Sequence, residues 1–399
     1  MKQYAFSLFT LLILFVSCKN FEPDTINIID KVAISRIDST LQSFVEAGQI
    51  AGVSALIFEK DEEVYFNAFG YADREAKRPM DRNTIVRIRS MTKPITGVAL
   101  MQLYEKGLFK LDDTLYNYLP EFKDMAVYTG VDSLGNILTE PLKRPITVRD
   151  ITRHTAGFLN SPNVPGLSEM LDSLDLGSPH LTLPQMAKKL GSIPLWFQPG
   201  SQWEFNEYVR EHVLEPLQMY DTRYFVPEDD RGRLASTYNL NEEGLHKNTN
   251  ERAHLVNIES GLLKSGGSGL TSTLDNYQRF ARMLVNNGIL DSVIILKPET
   301  VKLMTTNHLS DSITKRSWLP SKGQVGFGID FAVRLRPPAT PEENNGVVGE
   351  FFWDGAASTL FWVDPVNELT AVLFVQLFPF DQIGLHKNFR DAIYGKAVF

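Results

Sequence analysis

The chain carries a single cysteine, Cys18, in 399 residues. An internal disulfide is therefore excluded, and no thiolate cluster can form. The seven histidines fall in no H-E-x-x-H or comparable ligand spacing, so no metal is expected, and nothing in the sequence calls for a cofactor. An excess of positive charge is missing as well. Forty Lys and Arg stand against 48 Asp and Glu, a net charge of −8 with both signs interspersed, which argues against a nucleic-acid surface and reads as ordinary solubility. The uncharged, mostly apolar run near the N-terminus, Ala5 to Ser17, is thirteen residues long. A bilayer-spanning helix needs about 20, so this run reads as a secretory signal rather than an anchor helix.

The leader, "MKQYAFSLFTLLILFVSCKN", places Lys2 before the apolar run and the small residue Ser17 immediately before Cys18. That junction resembles a bacterial lipoprotein processing site, where Cys18 would become the lipid-modified first residue. The expected organisation is a signal peptide over 1–17, a polar tether over 18–28 and a single domain over 29–399. The expected location is the cell envelope, anchored by lipid to a bacterial membrane.

What remains is a chain with 43% apolar residues, enough for a sizeable core. From Ile29 to Ala47 apolar residues recur at helical spacing, and Gly48 can end the helix. The runs "GVSALIFEK" and "EVYFNAFGYA", separated by acidic turn residues, predict an antiparallel hairpin. "PITGVALMQLYEKGLF" is apolar on most faces and predicts a buried helix stopped at Gly107. The middle of the chain mixes helical segments, prolines and loops. Strand patterns return in "GFGIDFAVRL", "STLFWVD" and "LTAVLFVQLF", and a helical segment follows Pro379. Strands at both ends predict an α+β fold in which one sheet is assembled from the two termini. The sheet lobe would comprise about 29–85 and 255–399, with a mostly helical lobe over about 86–254. The pentapeptide "GLHKN" occurs at 244–248 and at 384–388 in unlike surroundings, and is read as coincidence.

Two S-x-x-K patterns stand out: Ser90-Met91-Thr92-Lys93 and Ser312-Ile313-Thr314-Lys315. Ser90 precedes the buried-helix pattern, so it should lie at a helix N-terminus, where free N–H groups and the helix dipole favour negative charge. Lys93 falls on the same face, and Pro94 is tolerated in a first turn. A lysine tucked against an apolar helix tends to lose its proton, and a neutral amine beside a serine hydroxyl is a general base for a nucleophile. The bland alternative is a capping serine with a solvated lysine. Ser312 has no apolar period after it and reads as part of a surface loop.

The segment "NTIVRIRSMTKPITGVALMQLYEKGLFKLDDTLYNYLPEF" resembles the serine β-lactamase-related family, which includes class C β-lactamases, penicillin-binding DD-peptidases and carboxylesterases of the same fold. The likeness continues through "ITVRDITRHTAGF", "EPLQMYDT", "SGGSGLTSTLDNYQRFARML" and "FFWDGAASTLFWVDP", and so covers nearly the whole chain from about residue 29. The resemblance implies a β-lactamase/transpeptidase-like fold, an acylated nucleophile at Ser90 and a proton-transfer role for Lys93. It also implies that Trp353-Asp354-Gly355 stands where the β-lactamases carry Lys-Thr-Gly on an edge strand. The Ala356 N–H would then join the Ser90 N–H as the oxyanion hole, with Trp353 and Gly355 beside the substrate. A tryptophan in place of that lysine removes a partner for a substrate carboxylate, which favours simple esters over β-lactams; plain sheet packing is the alternative for Trp353.

Other patterns carry less. "GGSGL" at 266–270 nearly matches a G-x-S-x-G elbow, but Leu270 occupies the last glycine's place, and it reads as a glycine-rich turn. His154 in "RHTAG" reads as a structural hydrogen-bonding residue. Relatives of this type carry a Tyr-x-Asn element after a phrase like "FQPGSQWE", whereas this chain continues "FNEYVREHVLEPLQMYDT". Either Phe205 replaces the tyrosine, with Glu207 where the asparagine belongs, or about 20 residues holding the whole element are absent, a stretch on the order of 30 Å if helical. Tyr208 shares a helical face with Phe205, Val209, His212 and Val213 and reads as core. The sequence thus predicts a serine hydrolase acting on small esters, slowed by the missing tyrosine. Its rivals are a catalytically silent binder of peptidoglycan-like fragments and a DD-peptidase or β-lactamase.

Overall fold

A computed structural model describes residues 27–158, 164–176, 181–199, 213–250, 257–259, 265–316 and 319–395. The leader with Cys18, and the segment holding Phe205 and Tyr208, lie outside them. Among the described residues no helix is long and apolar enough to cross a membrane.

The first helix, Lys31–Glu46, is capped by Asp30, whose carboxylate accepts from the Ala33 amide at 2.7 Å. It buries Ala33, Ile37, Leu41 and Phe44, a stripe at helical spacing. Arg36 donates to the Ala392 and Ile393 carbonyls at the end of the Leu385–Tyr394 helix, joining the two chain ends.

The strands Gly52–Glu59 and Glu62–Asp73 form the expected hairpin, turning at Lys60 and Asp61 with φ of 52° and 63°. Gly52–Glu59 also pairs antiparallel with Leu369–Val375, from Val53 opposite Val375 to Glu59 opposite Leu369. This pairing closes one eight-stranded sheet from both termini. Its order is Val325–Phe327, Ala332–Arg334, Phe351–Asp354, Leu360–Asp364, Leu369–Val375, Gly52–Glu59, Glu62–Asp73 and Arg78–Pro79. Central strands covered on both faces need continuous apolar runs, and Leu369–Val375 is buried throughout. Phe361 packs on Tyr277 and Phe280, whereas the next residue, Trp362, packs on Phe389. Adjacent strand residues face opposite ways, so the Leu274–Val285 helix covers one face and the Leu385–Tyr394 helix the other.

The run "GFGIDFAVRL" differs from the sequence expectation of one strand. It folds back on itself as Val325–Phe327 against Ala332–Arg334. Gly328 packs against the Met304 carbonyl too closely for any side chain, and Asp330 adopts φ 59°, so the chain turns there.

The second lobe is built around smaller apolar clusters, one containing Leu115, Phe122, Val127, Ile146 and Leu195. Short helices at Val148–Thr152 and Leu183–Leu190 begin in capping boxes, Thr147 with Asp150 and Thr182 with Gln185. An antiparallel hairpin, Ala126–Val131 with Ile137–Pro141, accompanies them. Buried Asp150 accepts from Arg144, Arg153, Thr155 and Thr147, and against the effect of burial the Arg144, Thr147 and Arg153 donors hold its carboxyl well below the usual range. The lobe meets the sheet where the Asp330 amide donates to the Thr152 carbonyl at 3.1 Å.

Candidate active site

The nucleophile candidate is delivered by a tight turn. Arg89–Met91 forms one turn of 3-10 helix that runs directly into the Thr92–Glu105 helix. Arg89 adopts φ 49°, a conformation unfavourable for a side chain of its size, immediately before Ser90. From beneath, the buried Tyr277 hydroxyl donates to the Met91 carbonyl at 2.8 Å. Ser90 and Lys93 are half-buried while Met91, Thr92, Pro94 and Ile95 are buried, so the first turn exposes the serine and lysine edge alone.

Lys93 Nζ lies 3.1 Å from Ser90 Oγ and donates to the Gly267 carbonyl at 2.6 Å. The spacing of three residues at a helix start places both groups on one face, as the sequence implied. Gly267 supplies what the sequence did not reveal. The strands Val86–Arg87 and Thr271–Ser272 pair antiparallel and bring residues 265–270 alongside the helix. Thr96 Oγ1 then donates to the Gly266 carbonyl at 3.1 Å, and the Leu270 amide donates to Thr92 Oγ1 at 3.2 Å. The glycine-rich stretch is a turn, as its sequence suggested, and its carbonyl orients the lysine.

The strand Phe351–Asp354 delivers Trp353, Gly355 and Ala356 to the same place. A Cβ on Gly355 would collide with Thr359 Oγ1 and the Ile88 carbonyl, so only glycine lets this strand end approach the nucleophile turn. Thr359 Oγ1 donates to that same Ile88 carbonyl at 3.3 Å. Ala356 is exposed between buried Gly355 and Ala357. Trp353 is 6% exposed, its ring edge-on to Phe327 at 5.4 Å and to His154 at 5.8 Å.

His154 is buried, with Nε2 3.3 Å from Asp330 Oδ1. Burial, and then the nearby Lys93 charge, push the imidazole well below its ordinary pKa. Burial pushes the Asp330 carboxyl well above the carboxylate range, and Lys93 opposes that only in part. Asp330 reaches this depth because Gly97, one turn beyond Lys93, has no side chain to exclude it. The sequence reading passed over Asp330; its signal was an acid inside an apolar strand pattern.

Ser312 sits elsewhere. It is exposed in a loop with its Oγ 2.8 Å from Ser310 Oγ, and Lys315 is exposed as well. Among the described residues, then, one of the two matches joins a serine to its lysine beside a strand-end glycine, an arrangement able to generate an alkoxide and present backbone amides to an oxyanion.

Comparison with known proteins agrees in kind. The chain is 31% identical over 367 residues to Protein Rv1367c of Mycobacterium tuberculosis, covering 86% of this chain and 89% of that one. It is 26% identical over 408 residues to lovastatin esterase of Penicillium rubens, covering 90% and 98%. Among solved structures, EstCE1, a hydrolase with promiscuous acyltransferase activity, superposes with a TM-score of 0.71 at 25% identity, covering 92% of this chain and all of that one. Relatives of the chain thus include esterases and acyltransferases built on one fold. The Beta-lactamase family model matches residues 37–206 and 204–396, and the chain belongs to that family.

Proposed function

We propose that the protein is a serine esterase that works through an acyl-enzyme at Ser90, with small carboxylic esters as its substrates. The observation that carries this reading is the 3.1 Å approach of Lys93 Nζ to Ser90 Oγ, with the amine held by the Gly267 carbonyl. In its neutral amine form Lys93 accepts the Ser90 hydroxyl proton as Oγ attacks the ester carbonyl carbon, and the carbonyl oxygen becomes an oxyanion facing the Ser90 and Ala356 amides. Removing one such donor costs about 3–4 kcal/mol of transition-state stabilisation. The ester C–O bond then breaks and the departing alkoxide takes the proton from Lys93. Water attacks the acyl carbon as Lys93 takes its proton, the acyl C–Oγ bond breaks, the proton passes from Lys93 to Ser90 Oγ, and the acid leaves. A second alcohol in place of water would complete acyl transfer, in keeping with the named activity of EstCE1.

Trp353, buried against Phe327, stands where the β-lactamase resemblance places a cation for a substrate carboxylate, and the loss of that cation supports ester over β-lactam substrates. Turnover is expected to be slow. The family match breaks at 204–206, where the Tyr-x-Asn element is expected, and a lost acid/base group costs about 10²- to 10⁴-fold in rate. The same break favours a second reading, a silent protein that binds ligands at this site. Intact mass after a fluorophosphonate or a short p-nitrophenyl ester decides between them. A single adduct on the unmutated protein, lost in Ser90→Ala, supports the esterase, and no adduct sinks it. Lipid attachment at Cys18, and with it envelope anchoring, is part of the same proposal. Radiolabelled palmitate retained by the protein and lost in Cys18→Ala would support it; equal labelling of both would not.

A further inference from the structure

Behind the strand that carries Trp353 and Gly355 lies a buried polar cluster that the reaction above does not use. Lys322 is 1% exposed, in the turn before the Val325–Phe327 strand. Its Nζ is 3.0 Å from His386 Nδ1, 3.6 Å from Asp354 Oδ2 and 5.4 Å from the centre of the Phe352 ring. His386, wholly buried in the first turn of the Leu385–Tyr394 helix, has its Nε2 2.7 Å from the Ser358 carbonyl. A carbonyl only accepts, so Nε2 carries the proton and Nδ1 accepts from the Lys322 ammonium. Burial and then the Lys322 charge push the imidazole pKa far below the ordinary value, while burial lowers that of Lys322 against the opposing Asp354 and Asp381 carboxylates.

The Ser358 carbonyl belongs to the turn that presents Ala356. The Ser358 amide donates to the Gly355 carbonyl at 2.8 Å, closing that turn. Ser358 itself adopts φ 64°, a strained conformation for serine. Its Oγ donates to the Leu377 carbonyl at 3.0 Å and accepts from the Asp381 amide at 2.9 Å. Asp381 in turn accepts from the His386 amide at 2.9 Å, so the helix start and the turn are bound into one unit. A cation taken out of water costs several kcal/mol, and an aliphatic side chain would fill the space without that penalty. Lys322 reaches the turn by two routes, through Asp354 immediately before Gly355 and through His386 to the Ser358 carbonyl.

We propose that Lys322 and His386 are positioning residues, which hold the Gly355–Ser358 turn so that the Ala356 amide is aimed at the oxygen of an ester attacked by Ser90. The proposal rests on the esterase reading. Lys322 polarises the neutral imidazole, His386 ties down the Ser358 carbonyl, and the strained turn keeps its amides fixed before substrate arrives. Misplacing such a donor impairs the transition state more than substrate binding.

The test compares His386→Gln, which keeps an N–H at the position of Nε2, with His386→Asn, which does not reach Ser358. Each is assayed for p-nitrophenyl ester kcat and KM and for the rate of Ser90 phosphonylation, with folding checked by circular dichroism. His386→Gln should retain kcat within about 3-fold, while His386→Asn and Lys322→Met should lose about 10- to 100-fold in kcat and labelling rate with KM little changed. Equal kcat for the folded Gln and Asn variants, or full activity in Lys322→Met, overturns the proposal. If neither His386 variant folds, Lys322→Met decides alone, and if no variant folds the cluster is purely structural and the proposal fails. Failure here is distinct from failure of the esterase reading: unmutated protein that takes no label at Ser90 removes both, whereas normal labelling with unaffected variants removes only this one.

Discussion

Ser90 and Ser312 each stand three residues before a lysine, and the molecule treats them in opposite ways. At Ser90 a helix begins, the two side chains share its face, and Gly267 fixes the amine. At Ser312 the chain is an exposed loop, and the serine's recorded neighbour is the Ser310 hydroxyl. The spacing is equal, so spacing is not the cause. A helix makes residues three apart into neighbours, and a loop leaves them to solvent. The difference also lies in what flanks each pair: buried Met91, Thr92, Pro94 and Ile95 at the first, and at the second a single buried residue, Ile313, among exposed Asp311, Thr314 and the pair itself.

The comparison can be broken most severely at the serines. Ser90→Ala should lower ester turnover by at least about 10³-fold and abolish covalent labelling, whereas Ser312→Ala should leave both within 2-fold. Labelling that survives Ser90→Ala would reverse the assignment. The lysines come next: Lys93→Met should reduce kcat/KM by about 10²- to 10⁴-fold, and Lys315→Met should be silent in the same assay. A smaller loss is expected from Gly355→Ala, because the added Cβ meets the Ile88 carbonyl and Thr359 Oγ1. The strain should lower unfolding free energy by about 1–3 kcal/mol, read from urea melts, with kcat falling alongside. The smallest effect belongs to Thr96→Val, which deletes the tie from the Thr92–Glu105 helix to the Gly266 carbonyl. It should cost about 1 kcal/mol of stability while ester turnover changes by less than 10-fold, and an unchanged urea midpoint would show that this tie contributes nothing.

Much of the fold was legible because it follows from local periodicity. The 29–47 helix, the 52–73 hairpin and the buried helix after Ser90 each carry a pattern of 3.6 or 2 residues with a stop signal at its end. Ser90 and Lys93 were legible for the same reason, since the apolar run behind them announces a helix. Gly267, Asp330, Lys322 and His386 were not. Each acts through partners brought near only by folding: Gly267 is 174 residues from Lys93, and Lys322 is 64 from His386. The hairpin within "GFGIDFAVRL" was hidden for a related reason, because the Met304 carbonyl that crowds Gly328 belongs to a different helix.

The repeated pentapeptide divides the two kinds of information. At 244–247 "GLHK" is a strand paired with Tyr238–Asn241, and His246 is exposed. At 384–388 "GLHKN" opens a helix, with Gly384 at φ 67°, and His386 is buried between Lys322 and the Ser358 carbonyl. The sequence by itself determined the long periodic elements and the serine–lysine pair, because steric and hydrophobic spacing act over a few residues. Tertiary structure decided what these five residues became, and which groups surround Ser90, because hydrogen-bond partners and burial come from segments distant in the chain.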